Sequence, residues 1–230
     1  MSDEEKKGSL QSEKTFVKFN KAFVSGRIEA DFKYDHEILG EKFYRTRIKV
    51  QKTSGAENLV PIIVSYSLIG SKNIQQSFKD KFVEVTGQFR SHNKLNDDGH
   101  KSLELFLFVM AIHVYEDKES LEESLNSNLV YLDGYLCKPP VYRKTHLGRQ
   151  STNLLIAVNR DFGKSSYIPC VALDRVALSA STLEVGNRVQ LYGEISSRKY
   201  FKKFSPTSKD GEYKVAYEIS VIRFTLGKIN

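Results

Sequence analysis

"NKAFVSGRIEADFKY" (Asn20–Tyr34) and "NLVYLDGYLCKPPVY" (Asn128–Tyr142) start in the same way. Each begins with Asn, continues with alternating apolar residues and reaches Gly six residues later, at Gly26 and Gly134. The two stretches lie 108 positions apart. A repeat on this scale indicates that the chain contains the same folding unit twice.

The repeat continues downstream in the same order. "RIKV" of the first unit meets "LIAV" of the second, and Pro61 meets Pro169 at the same offset. The offset then falls by two, so that Gly87 in "FVEVTGQFRS" meets Gly193 in "RVQLYGEISS". "LFVMAIHV" and "YEISVIRF" are aligned at an offset of 110. Matching order and matching apolar phase predict an internal duplication or a tandem of two like domains.

Each unit contains about five short runs of alternating polarity that are rich in Val, Ile, Phe and Tyr. One helical stretch lies between the third and fourth runs, "SLIGSKNIQQSF" in the first unit and "LDRVALSASTL" in the second. This is the order of an OB-fold, a partly open Greek-key barrel, and the paired glycines indicate bulges or tight bends. We therefore predict an all-β protein with two tandem OB-fold barrels. Another small β-barrel is the alternative.

The same reading divides the chain into four segments. Residues 1–18 are charged and contain Ser, which predicts a disordered tail. Residues 19–116 form the first predicted barrel and residues 128–230 the second. Residues 117–127 lie in the acidic stretch "EDKESLEESLNS" and are interpreted as a linker.

The positive charge is concentrated in the second unit. The whole chain carries a formal charge of +7, and residues 128–230 hold 16 Lys and Arg against 8 Asp and Glu. A cationic excess confined to one segment favours a polyanionic partner for that segment, although a basic surface serving solubility alone gives the same count.

Several protein classes are disfavoured by the sequence. The chain has no apolar run of about 18 residues, and its first residues lack the apolar core of a secretory signal. Its two cysteines, Cys137 and Cys170, fit a reducing cytoplasm better than a disulfide scaffold. The five histidines are dispersed and the near-match "GKSS" lacks the first glycine of a phosphate-binding loop. We expect neither an enzyme, a metal site, a cofactor nor a membrane partner.

One stretch of the second unit is unusual for a barrel strand. "GEISSRKYFKKF" (Gly193–Phe204) interleaves cations with aromatic rings. Alternation places Tyr200 on one face of the strand and Phe201 on the other. The face of Tyr200 is the better candidate for contacts with bases, while Phe201 is expected to pack inward or on the following hairpin.

The second unit resembles the bacterial single-stranded-DNA-binding protein family. The resemblance rests on Asn128, Gly134, Pro139, the "AVNR" strand end at 157–160 and the segment from Gly193 to Tyr200. The tandem arrangement is similar to the double-OB members of Firmicutes. The first unit shares with them a segment containing His36, Glu37, Gly40, Glu41, Phe43 and Tyr44, and a "GQFRS-N" segment ending at Asn93.

The resemblance implies which residues of the second unit bind single-stranded DNA. Stacking on bases falls to the aromatic residues Phe162, Tyr167 and Tyr200. Contacts with phosphates are assigned to the cations Arg160, Lys164, Arg198, Lys199, Lys202 and Lys203. The structural alternative is packing on its own sheet for Tyr167, a packing anchor within a loop for Phe162, and a solvated hairpin for Lys202 and Lys203.

The sequence departs from the family pattern in three respects. It has no Trp, which the family commonly uses for stacking. Leu173 and Asp174 stand where the family often has an aromatic residue and Gly. The chain ends in "FTLGKIN", without the acidic tail through which many members recruit other proteins, so recruitment by that route is not expected.

The first unit offers a second set of candidates. "FYRTRIKV" places Arg45, Arg47 and Lys49 on one face of a strand by two-residue alternation, after Phe43. "FRSHNK" supplies Phe89, Arg90 and Lys94 at the position equivalent to Gly193–Phe204. Direct contact with DNA and a role in dimerisation or docking remain alternatives for this unit.

The favoured function is a non-enzymatic protein that coats exposed single-stranded DNA in replication, recombination or repair. The alternative is an OB-fold module that binds a protein partner and has marginal affinity for DNA, like primosome accessory proteins. Because single-OB members of the family assemble four OB units, a tandem chain is expected to reach four as a homodimer. The resemblance also implies a cytoplasmic protein associated with the nucleoid.

Overall fold

A computed structural model of the chain describes residues 19–52, 56–70, 77–95, 99, 101–115, 127–146, 148–160, 163–203 and 210–227. The predicted tail and almost all of the predicted linker lie outside the described residues. Within the described ranges each repeat forms its own β-barrel, so the predicted pair of tandem OB-folds is confirmed.

The first barrel consists of six strands and a short helix. These are β1 (Asn20–Ile28), β2 (Lys33–Ile38), β3 (Glu41–Gln51), β4 (Glu57–Ser65), α1 (Tyr66–Ile69), β5 (Phe82–Leu95) and β6 (Lys101–Tyr115). The strands lie in the order β3-β4-β6-β5-β1, and β1 closes the barrel by also pairing with β3. The parallel pair β4–β6 is the one that a Greek-key path requires. β2 is an additional hairpin strand on β3.

The second barrel repeats this arrangement. Its elements are β7 (Asn128–Leu136), β8 (Val141–Lys144), β9 (Gln150–Asn159), β10 (Ser165–Leu173), α2 (Asp174–Ala180), β11 (Arg188–Lys203) and β12 (Gly211–Leu226). β10 and β12 form its parallel pair, and β7 pairs with both β11 and β9. The helix lies between the third and fourth barrel strands in both units, as predicted, although residues 71–76 of the first predicted helix lie outside the described residues.

The apolar phase of each strand builds the core. In β3, Thr46, Ile48 and Val50 are buried, and in β9 Leu154 and Ile156 are buried in the same way. Gly26 and Gly134 permit β1 and β7 to cross from one partner strand to the other. A Cβ at Gly26 would lie 2.2 Å from the Lys49 carbonyl oxygen, and one at Gly134 would lie 2.5 Å from that of Ala157.

The bulges predicted from the repeated glycines occur at Gly87 and Gly193. The register of β5 and β6 shifts between Thr86 and Gly87, and that of β11 and β12 shifts between Tyr192 and Gly193. Gly87 then pairs with Val109, and Gly193 pairs with Val221. The last strands are therefore offset by 112 residues, and the predicted offset of 110 is wrong. The second hairpin has two more residue pairs than the first, and two more residues lie between its strands; together these account for the rise of the offset from 106 at the glycines to 112.

The first residue of each repeat has a structural role. The side-chain amide of Asn20 donates to the Phe89 carbonyl at 2.7 Å, and its oxygen accepts from the Phe89 N–H at 2.9 Å. Asn128 makes the same two bonds to the backbone of Ile195, at 2.8 and 2.9 Å. Each Asn thus satisfies a donor and an acceptor of the fourth barrel strand, where sheet pairing does not.

The two barrels are joined by antiparallel pairing of β1 with β7. Ala22 pairs with Val130, which is its own counterpart in the repeat, so a pseudo-twofold axis passes between them. The Tyr167 N–H donates to the Ser91 hydroxyl at 2.8 Å, and the Leu59 N–H donates to the Ser197 hydroxyl at 3.1 Å. These bonds are equivalents across the axis, so the β5–β6 hairpin contacts the second barrel and the β11–β12 hairpin contacts the first. No helix in the described residues is long and apolar enough to cross a membrane.

Replacing Asn20 with Ala should lower the free energy of unfolding by about 2–3 kcal/mol, because two buried backbone groups lose their partner. The change is measured by denaturant unfolding. Asn153→Ala is the matched control, since Asn153 is exposed on β9, and it should change the free energy by less than about 0.5 kcal/mol. Equal effects of the two substitutions would contradict the role assigned to Asn20.

Candidate nucleic-acid interface

The outer face of β3 carries the cations that alternation predicts. Arg45, Arg47 and Lys49 alternate with the buried Thr46, Ile48 and Val50, and so point away from the core. Lys49 lies opposite Leu59 of β4. The predicted strand face is therefore present.

Two of these cations already have carboxylate partners. Arg45 donates from Nε to Asp35 at 2.6 Å and from Nη1 to Glu104, while Arg47 donates to Glu29. Both arginines are candidates for contact with DNA from the sequence, and a phosphate would have to compete with these carboxylates for them. The acids come from β2, β6 and the β1–β2 connection, which alternation within β3 cannot reveal.

An aromatic cluster borders these cations. The Phe43 ring stacks on His36 with 4.8 Å between centroids and lies 5.9 Å from the Phe108 ring. The Arg90 guanidinium lies 4.0 Å from the centre of the Phe108 ring, and it also donates to Gln88. Phe108, which was not a candidate, thus joins the predicted Phe43 and Arg90, and His36, which was not a candidate either, stacks on Phe43. Alternation within "LELFLFVMAIHVY" places Phe108 on the opposite strand face from the buried Leu107 and Val109, and this pattern could have identified Phe108 as a candidate.

Phe89 belongs to the core. Its side chain is fully buried, and its backbone is held by Asn20. Its phase on β5 matches that of the buried Val83 and Val85. The ring cannot reach a base, so the expectation that the Phe89 side chain is a candidate for contact with DNA is wrong.

A first groove of about 860 Å³ lies between the barrels. Tyr200 and Tyr217 of the β11–β12 hairpin line one side, and Arg45, Arg47 and Lys94 of the first barrel line the other. Pro61 and its repeat counterpart Pro169 are also part of the lining. Tyr200 is therefore placed opposite cations of the other barrel.

A second groove of about 630 Å³ also takes residues from both barrels. Arg90, Lys94 and Phe108 come from the first barrel, and Arg160 and Lys164 come from the β9–β10 connection of the second. Among the described residues, Nε of Arg160 is buried and has no hydrogen-bond partner. A buried donor of this kind favours an anionic ligand.

The two grooves meet at three shared side chains, Arg45, Lys94 and Glu104. Tyr167 lies on β10 between Lys164, which lines the second groove, and Pro169, which lines the first. Its side chain is 47% exposed while its N–H is bonded to Ser91. Together these features mark a continuous surface that crosses from one barrel to the other.

The β11–β12 hairpin carries further cations outside the groove linings. The Arg198 guanidinium lies 5.9 Å from the centre of the Tyr200 ring, and Lys199, Lys202 and Lys203 are exposed. Phe201 contacts Tyr213 of the same hairpin at 5.3 Å between ring centroids, in agreement with the expectation that it packs on the hairpin. Phe162 lies outside the described residues.

The backbone conformation at position 174 explains why Asp can stand where the family often has Gly. Its φ is 50°, in the left-handed region that Gly adopts without strain and Asp tolerates. Asp174 begins α2 and does not line either groove, whereas Leu173 before it is exposed. In the described parts of the chain, no three His, Cys, Asp or Glu side chains come together to hold a metal ion.

Comparisons with known proteins agree with the fold. Residues 127–225 match the model of the single-strand binding protein family. Two crystal structures of the single-stranded DNA binding protein from Thermus aquaticus are similar in fold. The wild type has a TM-score of 0.70 at 18% identity, covering 92% of this chain and 94% of that one, and a deletion mutant has a TM-score of 0.69 at 18% identity, covering 92% and 95%. No curated protein matches the chain.

Asp35 should make stability depend on pH. Burial alone would raise the pKa of Asp35, but hydrogen bonds from His36 and Arg45 outweigh it and hold the pKa below its ordinary 3.8. The stabilisation is therefore present above about pH 4 and is lost as the pH falls through the lowered pKa. Asp35→Asn should reduce the free energy of unfolding by about 1–2 kcal/mol at pH 7 and by little near pH 2. Denaturant titrations at both values test this, and an equal loss at both would contradict it.

Proposed function

The chain carries over residues 127–225 a domain of the single-strand binding protein family, and on this premise we propose that it coats single-stranded DNA without catalysing a reaction. The observation that carries the proposal is the surface formed by the two grooves, in which rings and cations of both barrels face each other. We place the protein in the cytoplasm with the nucleoid, where single strands arise in replication, recombination and repair.

The rings of this surface hold the bases. Tyr200 in the first groove and Tyr167 beside it stack on bases of the strand, and Phe43 and Phe108 offer a further apolar platform in the first barrel. Every base presents a π-face, so each stacked ring contributes about 1–3 kcal/mol with little dependence on sequence. Tyr and Phe take the place of the Trp that the chain lacks.

The cations of this surface follow the phosphates. They are Arg90 and Lys94 of the first barrel and Arg160, Lys164, Arg198, Lys199, Lys202 and Lys203 of the second. Phosphate contacts release counterions from the strand, so the affinity falls steeply as salt concentration rises. Because Lys94 lines both grooves, it supports the strand where it passes from one groove to the other.

A homodimer would bring four OB units together. The sheet β6-β5-β1-β7-β11-β12 continues across the pseudo-twofold axis, and its outer face exposes Phe23, Leu129, Met110 and Ile222. Exposed apolar side chains on one sheet face are typical of interfaces between subunits. We place the second subunit of the dimer on this face, because the two grooves lined by cations bind the single-stranded DNA in the proposed function.

Replacing Tyr200 and Tyr167 together with Ala should weaken binding to oligothymidylate by more than about tenfold, since two stacking rings are lost. Fluorescence anisotropy at two salt concentrations measures the change. Tyr135→Ala is the control, because Tyr135 is exposed to nearly the same degree as Tyr167 but lies on β7, outside both grooves, and it should bind like the wild type.

Two results would count against this proposal. Wild-type binding weaker than about micromolar at low salt would contradict the coating function itself. Unchanged affinity of the Tyr200 and Tyr167 double variant would contradict the assignment of the stacking residues.

Replacing Phe23 and Leu129 together with Glu should convert a dimer into a monomer, because two carboxylates would be buried at the apolar face. Light scattering after size-exclusion chromatography should give twice the chain mass of 26.3 kDa for the wild type and once that mass for the variant. A wild type that is monomeric at micromolar concentration would exclude the dimer.

A further inference from the structure

We propose that Glu104 limits the affinity of the first barrel for single-stranded DNA by occupying the guanidinium of Arg45 where the two grooves meet. The carboxylate and a strand phosphate then compete for the same cation. This inference rests on the proposed coating function and assigns to one acidic residue the control of binding strength.

Glu104 lies where the path of the DNA would cross from one groove to the other. It lies on β6 and lines both grooves together with Arg45 and Lys94. Its side chain is only 19% exposed. A strand that runs from one groove into the other must pass this carboxylate, which repels phosphate.

The two carboxylates on Arg45 have separable roles. Asp35 accepts from Nε at 2.6 Å, whereas Glu104 accepts from the terminal nitrogen Nη1. Asp35 in turn accepts a hydrogen bond from His36 at 2.5 Å, assigned to the ring nitrogen Nδ1. If Glu104 is neutralised, Asp35 still holds the guanidinium in place, and the terminal nitrogens become available to a phosphate.

The hydrogen-bonding capacity of the Glu104 carboxylate is only partly used within the fold. Its oxygen Oε2 is buried and has no hydrogen-bond partner among the described residues. The Nδ1 atom of His92 lies 3.4 Å from it, without the geometry of a hydrogen bond. A buried carboxylate oxygen without a donor costs free energy, so fold stability alone does not explain the residue.

The second barrel provides an internal comparison. Glu104 pairs with His92 across the β5–β6 hairpin, and the equivalent pair of the β11–β12 hairpin is Ala216 with Arg198. The second barrel therefore has the methyl side chain of Ala216 at the position of Glu104, and Ala216 pairs with the cationic Arg198. The restraint that Glu104 imposes is therefore specific to the first barrel.

Two opposite substitutions test the inference. Glu104→Gln should tighten binding to oligothymidylate by about threefold to fivefold at low salt, because one cation becomes available. The slope of log affinity against log salt should steepen by about 0.7, the value for one additional phosphate contact on a single strand. Ala216→Glu should weaken binding by a similar factor, since it places a carboxylate opposite Arg198.

Controls separate this inference from simpler effects. Glu37→Gln removes the same charge at an exposed position of β2 outside both grooves, and it should leave the salt slope unchanged. Adding Arg45→Gln to Glu104→Gln should abolish the gain in affinity. Unfolding midpoints of all variants verify that the fold is intact.

Three outcomes would overturn the proposal. Glu104→Gln could behave like Glu37→Gln, it could weaken binding, or Ala216→Glu could leave affinity unchanged. A wild-type protein that does not bind oligothymidylate would instead contradict the coating function, so the two failures are distinguishable.

Discussion

Antiparallel pairing of β1 with β7 determines how every other part of the molecule is placed. It sets a pseudo-twofold axis between Ala22 and Val130, and it forces each long hairpin across the neighbouring barrel. The equivalent hydrogen bonds at Ser91 and Ser197 are a consequence of that symmetry. Both grooves lie between a hairpin or connection of one barrel and the strands of the other, so neither barrel forms them alone.

The two units differ in the charged residues of their outer faces but keep equivalent apolar positions in their cores. In the first barrel, Asp35, Glu104 and Glu29 neutralise the arginines of β3. In the second, the hairpin carries exposed lysines beside Tyr200. The second barrel therefore offers exposed cations beside a stacking candidate, whereas the arginines of β3 in the first barrel are balanced by its own acids. Cations of both barrels in shared grooves favour a polyanionic partner.

Much of the fold could be predicted from the sequence, because apolar alternation and repeated Asn and Gly positions reflect local geometry. The same alternation places Phe89 in the core with Val83 and Val85, although the resemblance between segments suggested otherwise. The pairing of Arg45 with Glu104 was not predictable, since it depends on how β6 returns beside β3. The grooves depend on the relative placement of two barrels, on which periodicity within either unit carries no information.

The central claim is that one strand occupies the surface shared by both barrels. Ultraviolet cross-linking of a single oligothymidylate to the protein, followed by peptide mass spectrometry, tests it most directly. We predict adducts on both barrels from one oligonucleotide, at Tyr200 in the second and at Phe43 or Phe108 in the first. Adducts confined to one barrel, or located on the outer sheet face around Phe23 and Leu129, would contradict the claim.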